Sequence, residues 1–370
     1  MFRKAVRDFA QKEIVPIVDE CDVEERYPVH LFKRVGELGY LGNRFPQEYG
    51  GSNTDTVTSA IMAEELAYYS GGIFLGLYVH VFLTLMGVAY FGSEEQKKKY
   101  LIPGITGTKI GAWGFAEPGA GSDPGSIRTR AVKEGSSYVL NGTKMFITNG
   151  TFADFVVVVA NTAPERGSRG LSLVIVDRDT PGFTVSKKLN KLGMRASEAA
   201  ELVFTDCRVP KENLLGEENK GFYQAMKTLT EGRIVAAAFA TGMARAALDL
   251  ALKYSRERVQ FGQEIGKFQG IQWMLADMAV KHEAARWLTY HAAWKCDRGL
   301  PHFKEASMAK LFATEALSSI AAEALQIHGG YGFIMEYPIQ RIYRDCKLLE
   351  IGEGTSQIHR NIIASQLLDF

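Results

Sequence analysis

The sequence predicts an α+β protein of several domains: an N-terminal helical domain at residues 1–109, a middle β domain at 110–217 and a C-terminal antiparallel four-helix bundle at 218–370. Apolar residues recur at helical spacing in the first and last thirds, whereas short β-branched runs between turn residues fill the middle third. The chain has 370 residues, of which 46% are hydrophobic and 23% charged, so it can bury a large core. This composition excludes intrinsic disorder.

The first third is predicted to be helical because apolar residues follow one helix face, as Val6, Phe9 and Ile14 do. Residues 66–93 contain no charged side chain and exceed the ~20 apolar residues that cross a bilayer. Their glycines, polar residues such as His80, and the lack of a second such segment favour a buried helix pair that lines an apolar pocket. We therefore expect no stable membrane insertion, and a non-catalytic membrane or scaffold protein is the alternative.

The middle third reads as short strands, and we expect a small β-barrel or a pair of orthogonal sheets. The strand-like runs lie at residues 138–140, 155–160, 171–176 and 202–204. Asn141-Gly142 stands between two of these runs and predicts a hairpin turn there, because both central positions of such a turn adopt positive φ.

The last third returns to long helical periodicity. Its alanine-rich stretches lie at residues 221–258, 269–298, 303–328 and 339–368. Helices of ~30 residues are about 45 Å long and pack most simply as an antiparallel bundle.

Charge and cysteine content exclude several classes of protein. The 43 Lys and Arg residues balance 42 Asp and Glu residues, and the longest basic run is residues 97–99, so nucleic acid is not an expected partner. Four scattered cysteines predict neither a disulfide framework nor a metal site. The charged N-terminal stretch lacks the apolar core of a secretory signal. We expect a cytoplasmic protein, or a mitochondrial matrix protein in a eukaryote.

The common nucleotide, zinc-protease and serine-hydrolase motifs are missing, and three glycine-containing loops stand out instead. Residues 117–123, EPGAGSD, could bring backbone N–H groups close to a phosphate or a planar ring, although a simple turn uses the same residues. Residues 326–333 hold three glycines in four positions, and one would suffice to end a helix, so a ligand or a neighbouring subunit is indicated. Glu353 lies between two glycines, where it could act as a base or be an ordinary exposed glutamate.

These loops, in this order and layout, resemble the acyl-CoA dehydrogenase family of flavoproteins over essentially the whole chain, and most of all its short-chain members. NGTKMFITNG at 141–150 resembles the family's flavin-facing hairpin, and EGTSQI at 353–358 resembles the loop with the catalytic glutamate. The earlier family signature is matched by Glu117, Gly121, Ser122 and Asp123. The later one is matched by Gln326, Gly329, Gly330, Gly332, Phe333, Glu336, Arg341 and Asp345.

The resemblance implies FAD as the cofactor. Residues expected around the flavin ring are Trp113, Phe115, Ala116, Gly121, Ser122, Phe146 and Thr148. Among them, Phe146 would cover a ring face and Thr148 would donate its hydroxyl to flavin N5. Residues expected to hold the pyrophosphate and adenosine of FAD across a subunit interface are Arg258, Gln260, Phe261, Gln326, Gly329 and Gly330. Thr355 and Gln357 are two further expected cofactor contacts. A homo-oligomer, commonly a tetramer, follows from this arrangement.

The resemblance also implies the reaction, which is α,β-dehydrogenation of an acyl-CoA to the trans-2-enoyl-CoA. Glu353 would take the α-proton, and the electrons would pass to electron-transferring flavoprotein. Substrate contacts are expected from Ser122, Arg233, Glu353 and Gly354. Some relatives carry the base one residue before the arginine, where this chain has Gly232. The adjacent Glu231 should face ~100° away from that direction.

Four positions depart from the family pattern: Phe115, Ala116, Thr230 and Gly352. Gly352 removes bulk beside the base and should widen the acyl pocket, whereas Tyr78, His80 and Phe82 should shorten it. No Lys or Arg lies between residues 44 and 97 to anchor a distal carboxylate. A short, branched or cyclic acyl group is therefore expected. The alternative enzyme class is a flavin oxidase or monooxygenase that uses O₂ on the same fold.

Overall fold

Helices build the N-terminal part of the computed structural model, which describes residues 1–369. Segments of π-helix at Ala10–Ile14, Val79–Leu85 and Lys97–Leu101 continue or join several of these helices. The α-helices are α1 (Phe2–Phe9), α2 (Val18–Val23), α3 (His30–Glu37), α4 (Thr56–Tyr69), α5 (Gly71–Tyr78), α6 (Met86–Phe91), α7 (Glu94–Gln96) and α8 (Ile102–Ile105).

The middle part forms one mixed sheet. Its strands are β1 (Gly111–Gly114), β2 (Arg130–Glu134), β3 (Ser137–Thr148), β4 (Phe155–Asn161), β5 (Leu171–Asp177), β6 (Phe183–Lys188), β7 (Ala199–Pro210) and β8 (Leu214–Leu215). The hydrogen-bonded order is β6-β7-β3-β2-β4-β5-β8, and β1 pairs with β4 in parallel. Every residue of β4 is buried, because side chains pack against both of its faces.

The hairpin predicted at Asn141-Gly142 is wrong, because β3 runs straight through these residues with a register shift. The turn between β2 and β3 lies earlier, at residues 135–136, where Gly135 has a φ of 60°. Gly142 instead permits close approach to Thr129, whose side chain and backbone a Cβ at this position would overlap. Asn141 bonds across to Asp206 and so stays within the sheet.

The C-terminal part is again helical and confirms the predicted order of helical, β and helical domains. Its elements are α9 (Gly221–Glu257), β9 (Val259–Gln260), β10 (Gln263–Glu264), α10 (Gln269–Asp297), α11 (Phe303–His328), α12 (Ile339–Ile351) and α13 (Ser356–Leu368). Helix α11 packs against α9, α10, α12 and α13. The fourth predicted helical stretch is thus two helices, and the loop between them carries Glu353.

Two buried carboxylates join the first helical part to the bundle. Glu64 and Glu65 on α4 are almost inaccessible to solvent. They form ion pairs with Arg3 of α1 and Arg245 of α9. Gly242 lies where α9 crosses α4, and a Cβ there would collide with the Glu64 carbonyl group. These contacts fix α9, the helix behind Glu353, against the N-terminal helices.

Two helical segments are long and apolar enough to cross a membrane by length and composition, Gly71–Phe91 and Gly221–Glu257. Unlike residues 66–93, the second segment contains charged side chains such as those of Arg233 and Arg245. Their most apolar windows are 94% and 83% buried inside the protein. Both segments thus pack as core helices within the part of the chain that the structure describes.

Candidate active site

Glu353 lies in a tight loop between α12 and α13. Helix α12 ends at Ile351, and Thr355 caps the next helix by accepting a hydrogen bond from Ile358 N at 3.3 Å. Between them Glu353 has a φ of 59° and Gly354 a φ of 102°. Positive φ is unfavourable for a glutamate and is typical of residues held in place for function. The loop directs the Glu353 side chain towards α9.

The Glu353 carboxylate lies over Gly232 of α9. A Cβ added to Gly232 would be 3.4 Å from Glu353 Oε2 and 3.2 Å from the Tyr78 hydroxyl. A glutamate at 232 would therefore compete for the space that the Glu353 carboxylate occupies. The glycine one residue before Arg233 thus makes room for the Glu353 carboxylate.

The Glu353 carboxylate is buried without a hydrogen-bond donor among the described residues. The nearby Tyr78 hydroxyl donates its proton to the Gly232 carbonyl at 2.9 Å. Burial raises the pKa of Glu353 to about 7, against the opposing effects of Tyr78, Arg233 and Lys310. A carboxylate with this pKa can accept a proton near neutral pH far better than an exposed one.

Two cations hold the backbone of the loop from behind. Arg233 Nε of α9 lies 3.4 Å from the Glu353 carbonyl oxygen, and Lys310 Nζ of α11 lies 2.7 Å from the Gly354 carbonyl oxygen. Both side chains are buried. Arg233, which we expected to contact substrate, thus contacts the loop backbone. Sequence reasoning missed Lys310, because only the tertiary fold brings α11 to this loop.

Glu231, the alternative base, points elsewhere. Its carboxylate forms an ion pair with Arg44 at 2.6 Å and accepts a hydrogen bond from Tyr90. A paired carboxylate is a weaker base than an unpartnered one in a dry site. The geometry therefore favours Glu353 over Glu231.

Phe146 has the features expected of a residue that stacks on a planar ligand. It lies at an irregularity of β3, has a φ of 63°, and is 68% exposed. Packing inside the protein does not explain why an aromatic ring is exposed on strained backbone. Thr148 lies two residues further on the same strand, at the point where β3 pairs with β7. Trp113 of β1 is buried, and its Nε1 lacks a partner among the described residues.

A buried lysine holds the segment before the EPGAGSD loop. Lys144 Nζ donates to the Phe115 carbonyl at 2.9 Å and to the Glu117 carboxylate at 2.8 Å. Met145 N donates to the Ala116 carbonyl at 2.8 Å, so this segment is tied to β3 twice. Burial lowers the pKa of Lys144 to about 8. Lys144 was not predicted from the sequence. Its position close to Phe146 in the same strand could have indicated that it belongs to the site.

The EPGAGSD loop itself is open to solvent. Gly121 and Ser122 are exposed, and a Cβ at Gly121 would meet no atom within 4 Å. The ends of the turn are fixed, because Glu117 accepts hydrogen bonds from Arg128 N and Thr129 N. The loop thus offers an accessible backbone on a rigid base.

Some of the residues expected to hold the rest of FAD lie together and line one groove. A groove of about 480 Å³ is lined by Arg258, Gln260, Gly329 and Gly330. A Cβ at either glycine would meet nothing within 4 Å, and Gly329 has a φ of 58°. Phe261 beside the groove is 94% exposed. An open, cationic groove with bare backbone suits a phosphate-containing ligand.

The remaining expected cofactor contacts lie at helix ends. Gln326 is exposed in the last turn of α11, directly before the glycines of the groove. Thr355 and Gln357 lie at the start of α13, where Gln357 is exposed. Neither Thr355 nor Gln357 lines the groove. The loop with Glu353 and the groove are therefore separate places on this chain.

Family comparisons agree with this architecture. Family models of the acyl-CoA dehydrogenase N-terminal, middle and C-terminal domains match residues 1–108, 112–207 and 219–368. The chain belongs to the acyl-CoA dehydrogenase family. As a member of it, the chain is an oxidoreductase that acts on a CH–CH bond of an acyl-CoA. The resemblance seen in the sequence is thereby confirmed.

Several relatives in the acyl-CoA dehydrogenase family match over nearly their whole length. The "Probable acyl-CoA dehydrogenase YngJ" of Bacillus subtilis is 47% identical over 100% of this chain and 97% of the relative. "Acyl-CoA dehydrogenase, short-chain specific" of Clostridium acetobutylicum is 45% identical over 99% and 97%. "Acryloyl-CoA reductase (NADH)" of Anaerotignum propionicum is 44% identical over 100% and 94%.

Solved structures show the same fold. Butyryl-CoA dehydrogenase from Megasphaera elsdenii superposes with a TM-score of 0.97 at 44% identity, over 99% of this chain and 97% of that one. A chain from work on the electron transferring flavoprotein of Acidaminococcus fermentans gives 0.98 at 45% identity, over 100% and 97%.

Removing the Glu353 charge should stabilise the folded protein, and more so at high pH. The folded-state pKa of about 7 lies above the ordinary value of 4.5, so the folded state loses stability as pH rises from 4.5 to 7. Glu353→Gln avoids this loss. Its Tm should exceed that of the parent at pH 8 and approach it near pH 5.

Thermal unfolding of both proteins at the two pH values tests this expectation. The exposed Glu48→Gln is the control and should show no such pH-dependent difference. A Glu353→Gln variant that is less stable than the parent at pH 8 would contradict the unpartnered state of the carboxylate.

Proposed function

We propose that this protein binds FAD and dehydrogenates a short, branched or cyclic acyl-CoA to the trans-2-enoyl-CoA, with Glu353 as the base. The observation that carries the proposal is the Glu353 carboxylate, which is buried over Gly232 without a hydrogen-bond donor among the described residues. A thioester α-proton is too weakly acidic for an exposed carboxylate. A base in a dry site with raised pKa meets that requirement.

The proposed chemistry divides between chain and cofactor. The Glu353 carboxylate accepts the α-proton, and FAD, when bound, supplies the acceptor for the β-hydride. The Glu353 loop keeps its geometry during this step because Arg233 and Lys310 hold its two carbonyl groups. Correct orientation of a base and its substrate can by itself lower the activation barrier by up to ~7–11 kcal/mol in well-oriented systems.

The chain fits FAD at two places. Phe146 offers an exposed ring on the strained part of β3, and Trp113 offers an indole N–H without a partner among the described residues. The groove with Arg258 and the bare glycines suits the dinucleotide part. No cysteine or histidine lies in the flavin-facing segments at 113–123 and 141–150, so we propose non-covalent binding.

The acyl pocket we propose is short and lies between α5, the following π segment and α9. The Leu83 side chain would be 3.2 Å from a Cβ on Gly232, so it borders the base. Phe82 lies with its ring 5.8 Å from that of Tyr78, and both are buried. These large side chains support the proposal that the pocket is short.

His80 does not belong to this pocket, contrary to the sequence-based expectation. Its Nε2 lies 3.0 Å from the Gly104 carbonyl, and its Nδ1 accepts from Gly111 N at 3.0 Å. The imidazole thus joins the helices to β1. An added Cβ at Gly352, in contrast, would meet only the Leu348 carbonyl within 4 Å, which supports the proposal that this position leaves room beside Glu353.

We propose a homo-oligomer, commonly a tetramer in this family. Helix α10 exposes Trp273, Val280, Trp287 and Trp294, which are spaced seven residues apart and so share one face. A continuous apolar stripe on a water-soluble protein indicates contact with another chain. A second copy of this chain fits best, because the family arrangement places FAD across a subunit interface.

Glu353→Gln should bind FAD and acyl-CoA but fail to bleach the flavin under anaerobic conditions. The amide preserves the shape of the side chain and removes the base, so the rate should fall by at least 10³-fold, within the range of a lost acid–base group. Glu231→Gln is the matched control on α9 and should keep its activity. The reverse result would assign the base to Glu231, and a parent protein that is colourless after purification would defeat the proposal.

The electrons should pass to electron-transferring flavoprotein, because bound product in a dry site disfavours reduction of O₂. Turnover with this acceptor and peroxide formation in air are measured side by side. Stoichiometric peroxide would move the protein to the oxidase class. Oxidation of NADH that depends on an α,β-unsaturated acyl-CoA would favour the reductive direction, which the acryloyl-CoA reductase relative suggests.

Butyryl-, isobutyryl- and cyclohexanoyl-CoA should give higher kcat/KM than octanoyl- and palmitoyl-CoA. Each methylene in the pocket is worth only ~1–3 kcal/mol, so the preferences should overlap. Gly352→Tyr should lower the ratio of branched to linear activity, because the ring would fill the open space beside Glu353. Palmitoyl-CoA as the best substrate would refute the short pocket, and an unchanged ratio in the variant would exclude Gly352 from the explanation.

A further inference from the structure

Behind the Glu353 loop lies a buried cationic cluster that the proposed chemistry does not itself require. Lys310 of α11 is 1% exposed, and Arg233 of α9 is 2% exposed. His359 of α13 is fully buried beside Gly354, where its Nε2 would be 3.2 Å from an added Cβ. Buried lysines are rare, because their charge loses its hydration.

The cluster is poorly satisfied by its surroundings. Lys310 donates to the Gly354 carbonyl at 2.7 Å. Polar atoms without a hydrogen-bond partner among the described residues are Arg233 Nη1, Ser307 Oγ, Ser356 Oγ and both ring nitrogens of His359. Packing alone would favour an apolar side chain in such a place.

The other carboxylates near Lys310 are already paired with other cations. Glu350 binds Lys347 at 2.6 Å, and Glu315 binds Arg360 at 2.8 Å. The Glu353 carboxylate also faces Lys310, and it has no hydrogen-bond partner in the part of the chain that the structure describes. Lys310 is thus held at the residue that follows Glu353 and can balance the charge of the Glu353 carboxylate.

We propose that Lys310 is a positioning residue for Glu353: its ammonium group holds the Gly354 carbonyl and its charge keeps the buried Glu353 carboxylate ionised at neutral pH. This inference rests on the proposed function. Without a nearby cation, burial would leave the base protonated and unable to accept the α-proton. Arg233 contributes in the same direction, and His359, whose pKa burial lowers to about 3, stays neutral.

The test replaces Lys310 by Met and by Gln, which both remove the charge, while Gln keeps a donor. Lys304→Met, at a partly exposed site on the same helix, is the control. The rate of anaerobic flavin bleaching is measured against pH. Both Lys310 variants should raise the apparent pKa of the rate by about one unit, which lowers the rate about tenfold at acidic pH. The control should keep the parent profile.

A thermal double-mutant cycle gives a second readout that needs no turnover. Both Lys310 variants should fold, and at pH 8 their Tm should lie below that of the parent, because the buried Glu353 carboxylate then loses a balancing charge. At pH 8, Glu353→Gln should raise the Tm more in the Lys310→Met background than in the parent, where Lys310 partly balances the Glu353 charge.

An unchanged apparent pKa in the folded variants, or thermal effects that simply add, would overturn the proposal. Failure of both variants to fold with FAD would assign Lys310 to folding stability and overturn it as well. A parent that is not bleached by any acyl-CoA would defeat the proposed function, while the thermal cycle would still decide whether Lys310 acts on Glu353.

Discussion

A carboxylate that is buried without a hydrogen-bond donor is unstable in its charged form, and the surroundings of Glu353 both create and limit that instability. Gly232 leaves the space for the carboxylate, and the Tyr78 hydroxyl donates a hydrogen bond to the Gly232 carbonyl at 2.9 Å. Burial then raises the pKa to about 7, while Arg233 and Lys310 act in the opposite direction. Glu353 is therefore a candidate base that accepts a proton readily and is still partly ionised near neutral pH.

The same principle is used in the middle domain, where a buried charge holds backbone for an expected ligand. Lys144 binds the Phe115 carbonyl and the Glu117 carboxylate, next to the strained Phe146. In both places the cation contacts a backbone carbonyl group near a proposed ligand-binding residue, which is Glu353 in one case and Phe146 in the other. Buried charges and strained backbone lower the stability of both places. The ion pairs of Glu64 and Glu65, where α4 crosses α9, stabilise the helices away from them.

Local patterns in the sequence were enough to predict the order of the domains and the loop that contains Glu353. Both depend on neighbouring residues, since a break between helices and a pair of glycines can be recognised over a few consecutive positions. They failed at Asn141-Gly142, where a tertiary contact with Thr129 decides the backbone. They also failed for His80, since an apolar helix does not reveal which of its faces meets β1. Lys310 could not be found, because the contact with Gly354 joins residues 44 positions apart.

The most direct test of this account is the pH dependence of anaerobic flavin bleaching in the unmodified protein, measured at subsaturating acyl-CoA so that the free enzyme is reported. The account predicts a rate that rises with pH through a single ionisation near pH 7, the pKa of the buried Glu353 carboxyl. A rate that is already maximal at pH 5.5 would mean that the base ionises like an exposed glutamate. That result would contradict the claim that an unpartnered, buried carboxylate controls the site.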